Sequence, residues 1–252
     1  MDFSKALSIL IKYGPSFLLG VKTTLIVAFI GTIIGLLLGL LVGGLKAIKV
    51  DHNAPKAIKA LKKFYDLVAT VYIEIFRGTP MMVQAVFIYY LVYSNIVKWD
   101  KFVAALFVLS INTGAYMSEI IRGGIQSVDK GQTEAARALG MTNWQTMLSI
   151  VIPQAVKNSF PAIGNEFIVN IKDSSVLMII SITELMFQSK SVAGSTYAFT
   201  ETYFVTACIY LLLTSITSVI LHQIEKRMNH TRTSIPQSDT VNSNMDMAKE
   251  DK

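Results

Sequence analysis

The sequence predicts an all-α integral membrane protein with five membrane-spanning helices. Three observations carry that prediction. Hydrophobic residues make up 52% of the 252 positions and charged residues only 16%, with a mean hydropathy of +0.48, too apolar for an ordinary soluble domain. Uncharged runs of about 20 residues, the length that crosses a hydrocarbon core of ~30 Å at ~1.5 Å per residue, recur along the chain. Basic residues gather in alternate loops between those runs, as loops that stay on the inner side of a membrane do. The net charge of +6 therefore reads as orientation and not as a nucleic-acid surface. The single cysteine, Cys208, lies in an apolar block, which excludes a disulfide framework. Neither a cofactor nor a metal is expected.

Residues 1–22 alternate apolar positions with Lys5, Lys12 and Lys22, and Gly14-Pro15 interrupts them, so this segment is expected to lie along the membrane surface. No cleaved signal peptide is read there. Thr23 to Leu45 gives 23 uncharged residues, the first span. Its Gly31, Gly35 and Gly39 recur every four residues, either as filler or as a stripe that admits a second helix closely. Residues 46–77 hold seven basic residues against three acids, and Pro55 marks the start of an amphipathic helix. The second span covers 78–97, where Pro80 removes a backbone hydrogen bond and is expected to kink the helix.

The third span covers 102–121. Asn112, Tyr116 and Glu119 stand at i, i+4 and i+7 on one face, suited to a protein interior or a solute path. Glu119 and Arg122 equally fit a snorkelling pair at the interface. The fourth span is expected over 160–187, although Glu166, Lys172, Asp173 and Glu184 interrupt its hydropathy. On one unbroken helix Glu166, Asn170, Asp173, Ser181 and Glu184 would share a face, and Lys172 would point away. Such acids cannot face lipid. They either line a solute path or only bridge two subunits or pair with Lys172 and Arg122. A loop over 188–202 and a last span over 203–224 follow, and residues 225–252 read as a polar, disordered tail. His222 is taken as an interfacial residue.

Between the third and fourth spans, residues 129–153 read as two short capped helices. Asp129 precedes Gln132 by three residues, and Thr142 precedes Gln145 likewise, the spacing of a capping box. Gly140 sits where a left-handed residue would close the first helix. Glu134, Ala135 and Ala136, then Gly140, then Ile150-Val151-Ile152-Pro153 at the end, resemble the EAA motif, the cytoplasmic coupling loop of permease subunits in ABC importers. Taken singly these residues are ordinary helix chemistry; their joint spacing between membrane spans carries the resemblance. Ile152 stands where that family usually has leucine.

Further stretches resemble the polar amino acid group of those permeases: Arg77-Gly78-Thr79-Pro80 with Gln84, Asn112-Thr113-Gly114-Ala115-Tyr116 with Glu119 and Arg122-Gly123-Gly124, and Asn165-Glu166-Phe167-Ile168 with Lys172-Asp173-Ser174-Ser175. The resemblance, from Thr23 to Ile224, implies the type I ABC importer permease fold in a multi-pass cell-membrane protein. It implies cytoplasmic ATPase subunits, a second permease as homodimer or heterodimer, an extracellular or periplasmic amino-acid-binding protein, and an amino acid as cargo. Glu134, Ala135, Ala136, Gly140, Ile150 and Pro153 would couple to the ATPase. Glu166, Asn170, Asp173, Ser174, Asn112 and Glu119 would form the substrate path, with Asn170 and Ser174 donating to the cargo's carboxylate. No Gly-x-x-x-x-Gly-Lys-Ser/Thr run occurs, so ATP hydrolysis is not expected in this chain.

Counting loops by side gives fourteen basic residues with the 129–153 loop against six on the other face, which predicts the N-terminus outside and the C-terminus inside. A secondary transporter driven by an ion gradient is the rival reading, opposed by the lack of an internal repeat. A channel-like structural subunit is a third, opposed by the acids repeated at helical spacing within spans.

Overall fold

The computed structural model describes residues 1–48, 50, 54–95 and 98–230, and every element among them is helical. Helix α1 (Phe3–Lys12) starts on Asp2, whose carboxylate accepts the Ser4 and Lys5 N–H groups. After Tyr13, α2 (Gly14–Ala47) begins at once, with Pro15 in its first turn, where a missing N–H costs nothing. Residues 14–22 thus lie in the same continuous helix as the expected first span. The helix has 34 residues, roughly 51 Å at ~1.5 Å each, well beyond the hydrocarbon core.

Helix α5 (Lys101–Gln126), capped by Asp100, is the central element, and α2 lies against it along most of its length. The glycine stripe makes that approach. Gly31 faces Leu109, Gly35 faces Thr113, and Gly39 faces the backbone at Met117, each too close for a Cβ. Val27, Val108, Leu109, Leu177 and Ile180 form the adjoining core.

Helices α3 (Lys56–Gly78) and α4 (Met81–Asn95) were expected to meet at a kink. Instead α3 ends at Gly78 and α4 departs at 113°. Proline at position 80 cannot donate to the Phe76 carbonyl. That carbonyl accepts instead from the side-chain amides of Gln84 at 2.9 Å and of Asn112 on α5 at 3.1 Å, so the break is held by side chains.

After α5 come α6 (Lys130–Ala138) and α7 (Asn143–Thr146), and α7 continues through a widened π turn at Met147–Val151 into α8 (Ile152–Asp173). A tighter 3₁₀ stretch, Ser174–Ile180, ends at Ser181 with φ 65°. The chain bends by 57° into α9 (Leu185–Thr196), and α10 (Phe199–His230) completes the fold. The expected single span over 160–187 is therefore broken at Ser181, and most of the expected loop over 188–202 is helical. Glu184 leaves the face it was to share with Glu166. Wholly buried, it caps α9, accepting the Met186 and Phe187 N–H groups and the Tyr210 hydroxyl at 2.7–3.0 Å. Three helices are long and apolar enough to cross a membrane, or five if each bent pair forms one span. Residues 225–230 extend α10; the remainder of the polar tail lies outside the described residues.

Candidate coupling loop and translocation face

The loop between α5 and α8 has the geometry of a rigid joint. At the end of α6, Gly140 takes φ 79°, its N–H donates to the Arg137 carbonyl at 2.9 Å, and the Met141 N–H donates to the Ala136 carbonyl at 3.1 Å. This pair of bonds is a Schellman closure, which needs a left-handed residue at the glycine position. Thr142 and Gln145 complete a reciprocal capping box at 2.9 and 3.2 Å. The box expected at Asp129 and Gln132 does not form, since Asp129 caps the Gly131 N–H instead. Arg137 donates to the Asn143 side-chain oxygen at 2.9 Å, tying the two short helices together.

Of the motif residues, Ala136 is buried against the body, Glu134 and Ala135 are exposed, Ile150 is half-buried in the widened turn, and Pro153 is exposed in the first turn of α8. Leu139 is 83% exposed, Trp144 50% and Leu148 45%, so the joint presents apolar side chains outward. Large apolar groups held open by capped, well-bonded backbone suit a docking surface.

The charged face lies on α5 and α8. Glu119 pairs with Arg122 at 2.6 Å, while Arg77, at the end of α3, is 4.0 Å from Glu119 and lies over the Tyr116 ring at 5.4 Å. On α8, Glu166 and Asp173 are half-buried and Lys172 is exposed. Neither acid has an ion pair or hydrogen bond among the described residues. A half-buried carboxyl group without a hydrogen-bonding partner on a helix of this kind either is neutral or has water or a cation beside it.

The polar residues expected alongside these acids serve the packing. Asn170, 2% exposed, donates to Thr32 on α2 at 2.8 Å and accepts from Thr113 on α5 at 3.1 Å, knitting three helices. Ser174, fully buried, donates to the Ile171 carbonyl at 2.9 Å. Both are thus engaged within the fold and not poised as donors to a carboxylate. Asn112, 7% exposed, donates to Gln84 at 2.8 Å and helps hold the break at Pro80. Sequence reasoning missed the stacking of Arg77 on Tyr116 and the Thr32–Asn170–Thr113 lock. Each joins residues on different helices, and no periodicity within one helix signals it.

This arrangement is that of a multi-pass membrane protein with an exposed, capped joint between two of its long helices. Residues 57–230 match the family model described as the binding-protein-dependent transport system inner membrane component, and the chain belongs to that family. It is 39% identical over 163 residues to the glutamine transport system permease protein GlnP of Escherichia coli K12, covering 64% of this chain and 74% of that one. The putative glutamine transport system permease protein GlnP of Rickettsia felis is 40% identical over 220 residues, covering 87% and 97%. Among solved structures, an amino acid ABC transporter crystallised with histidines matches with a TM-score of 0.76 at 39% identity, over 90% of this chain and 99% of that one.

Proposed function

We propose that the chain is the membrane-spanning subunit of an ATP-driven importer that moves a polar or basic amino acid into the cytoplasm. Alternating access would be driven by separate ATPase subunits seated on the 129–153 joint, with a second permease completing the path and a binding protein delivering cargo outside. The family supports the transport class, and the names of the relatives support an amino acid as cargo. The observation that carries the path is the pair Glu166 and Asp173, half-buried and unpartnered. In this reading they receive the cargo's ammonium or a cationic side chain. Arg77, 42% exposed and within electrostatic reach of Glu166, receives its carboxylate.

The test is Glu166→Gln and Asp173→Asn in the reconstituted importer. Uptake is expected to fall at least tenfold, the loss of one charge-assisted contact of ~1.5–3 kcal/mol, while ATPase stimulation by the loaded binding protein persists. Unchanged uptake across several amino acids in both variants would refute the path.

The orientation rests on the basic asymmetry and has its own measurement. With the exposed Cys208 replaced, single cysteines at positions 95 and 191 should react with an impermeant thiol reagent in intact cells, and those at positions 57 and 132 should not. The reversed pattern would invert the topology.

A further inference from the structure

One face of α6 looks away from the exposed apolar knobs. Lys130, Thr133, Glu134 and Arg137, spaced i, i+3, i+4 and i+7, line a cavity of about 840 Å³, inside the ~300–1,000 Å³ of ligand pockets. Its opposite walls are the ends of α2, at Lys46, and of α5, at Arg122, where apolar runs give way to basic residues.

The charge of this cavity is one-sided. Among the described residues, four basic side chains line it against a single acid, Glu134. Arg122 is committed to Glu119. Lys46 donates to the Thr70 hydroxyl at 2.8 Å within the field of Glu119, Arg137 donates to the neutral Asn143 amide at 2.9 Å, and Lys130 has no ion pair among the described residues. An anion is therefore the complementary ligand. Beside the polar Gln126, Asn143 and Thr146, the lining also carries an apolar wall of Ile125, Val128, Met147 and Val151. A free phosphate would satisfy the charge and leave that wall bare, whereas a lipid headgroup with the first carbons of its chains would satisfy both.

We propose that this cavity binds the phosphate of an anionic phospholipid, its proximal acyl carbons resting on the apolar wall. On the proposed orientation the cavity opens at the cytoplasmic leaflet, where anionic lipids act on basic segments beside membrane helices. Bound there, the lipid bridges α6 to the ends of α2 and α5. The stance of the coupling joint then depends on the composition of the bilayer.

The experiment uses the complete importer, purified in detergent and delipidated. It is titrated with phosphatidylglycerol, with phosphatidylcholine of the same chains, and with inorganic phosphate, reading retained lipid by native mass spectrometry and Tm. Phosphatidylglycerol is expected to be retained and to raise Tm; the other two should do neither. Lys130→Gln with Arg137→Gln should weaken retention about thirtyfold, at about fivefold for each basic residue lost. Thr133→Glu, which adds a carboxylate to the wall, should weaken it too. Lys98→Gln with Lys101→Gln, at the opposite end of the bundle, should retain it. Equal retention of phosphatidylcholine, equal stabilisation by inorganic phosphate, or unchanged retention in both cavity variants would each overturn the proposal. Binding in detergent does not depend on which way the chain lies in a bilayer, so a failure here is distinguishable from a failure of the proposed orientation.

Discussion

Gly39→Val is expected to leave little folded permease in the membrane. The added Cβ would stand 2.8 Å from the Met117 carbonyl carbon and 3.0 Å from the Ser118 nitrogen, both backbone atoms of α5 that cannot rotate aside. The two helices must then separate along their main contact, and neighbouring Gly35 and Gly43 lose their fit with them. Overpacking of a well-filled interior costs typically ~1–3 kcal/mol, and an obstruction by backbone belongs at or above the top of that range. Against a total stability of ~5–15 kcal/mol, such a loss should lower the Tm of the purified protein and its yield in the membrane fraction by severalfold. Gly194→Ala serves as the control, because nothing lies within 4 Å of a Cβ there and alanine is the better helix former. If Gly39→Val matched the parent in yield and Tm, the stripe would not be the seam between α2 and α5.

Gly140→Val is expected to abolish transport while leaving insertion and the spans intact. Its φ of 79° lies in the region where a side chain costs ~1–2 kcal/mol, and a β-branched one more. No atom lies within 4 Å of a Cβ built at Gly140, so crowding contributes nothing and the effect is purely one of backbone conformation. The chain escapes by turning that residue to negative φ, which breaks the closure at Arg137 and Ala136 and tilts α7 against α6. Gly140→Asn should recover most of the activity, since asparagine tolerates the left-handed region. The measurements are uptake in reconstituted vesicles and co-purification of the ATPase. Wild-type transport by Gly140→Val would show that the turn is not a joint.

Much of what the chain writes locally was readable from its residues, although the box expected at Asp129 and Gln132 gave way to a cap on Gly131. Thr142 and Gln145 make the expected capping box, and Gly140 the expected left-handed closure, because both depend on groups within a few residues. The break at Pro80 was only half readable. Its cause, the missing N–H, is local, but its angle is held by Gln84 with Asn112, and Asn112 comes from another helix. The break at Ser181 was hidden for a different reason. Serine seldom adopts φ 65°, and nothing in its neighbours announces a left-handed residue. A helical phase carried from Glu166 across that point therefore placed Glu184 on a face it does not occupy. Asn170 shows a third limit, for its position on the expected face said nothing of the two threonines that occupy its amide.

The widened turn at Met147–Val151 makes α7 and α8 one crankshaft. The helix runs on from the joint to the acids with Pro161 inside it, and Glu166 lies about 22 Å along the shaft from Val151 at ~1.5 Å per residue. A sideways push on α7 would reach Glu166 and Asp173 through that helix, yielding most where Pro161 removes a backbone hydrogen bond. The same turn sets the timing of the shaft. A π turn accommodates one residue more than an α turn, and a single residue added to or removed from a helix rotates everything beyond it by ~100°. Deleting one residue from 147–151 would thus keep every side chain of both ends yet advance the acids by more than a quarter of a revolution relative to α7.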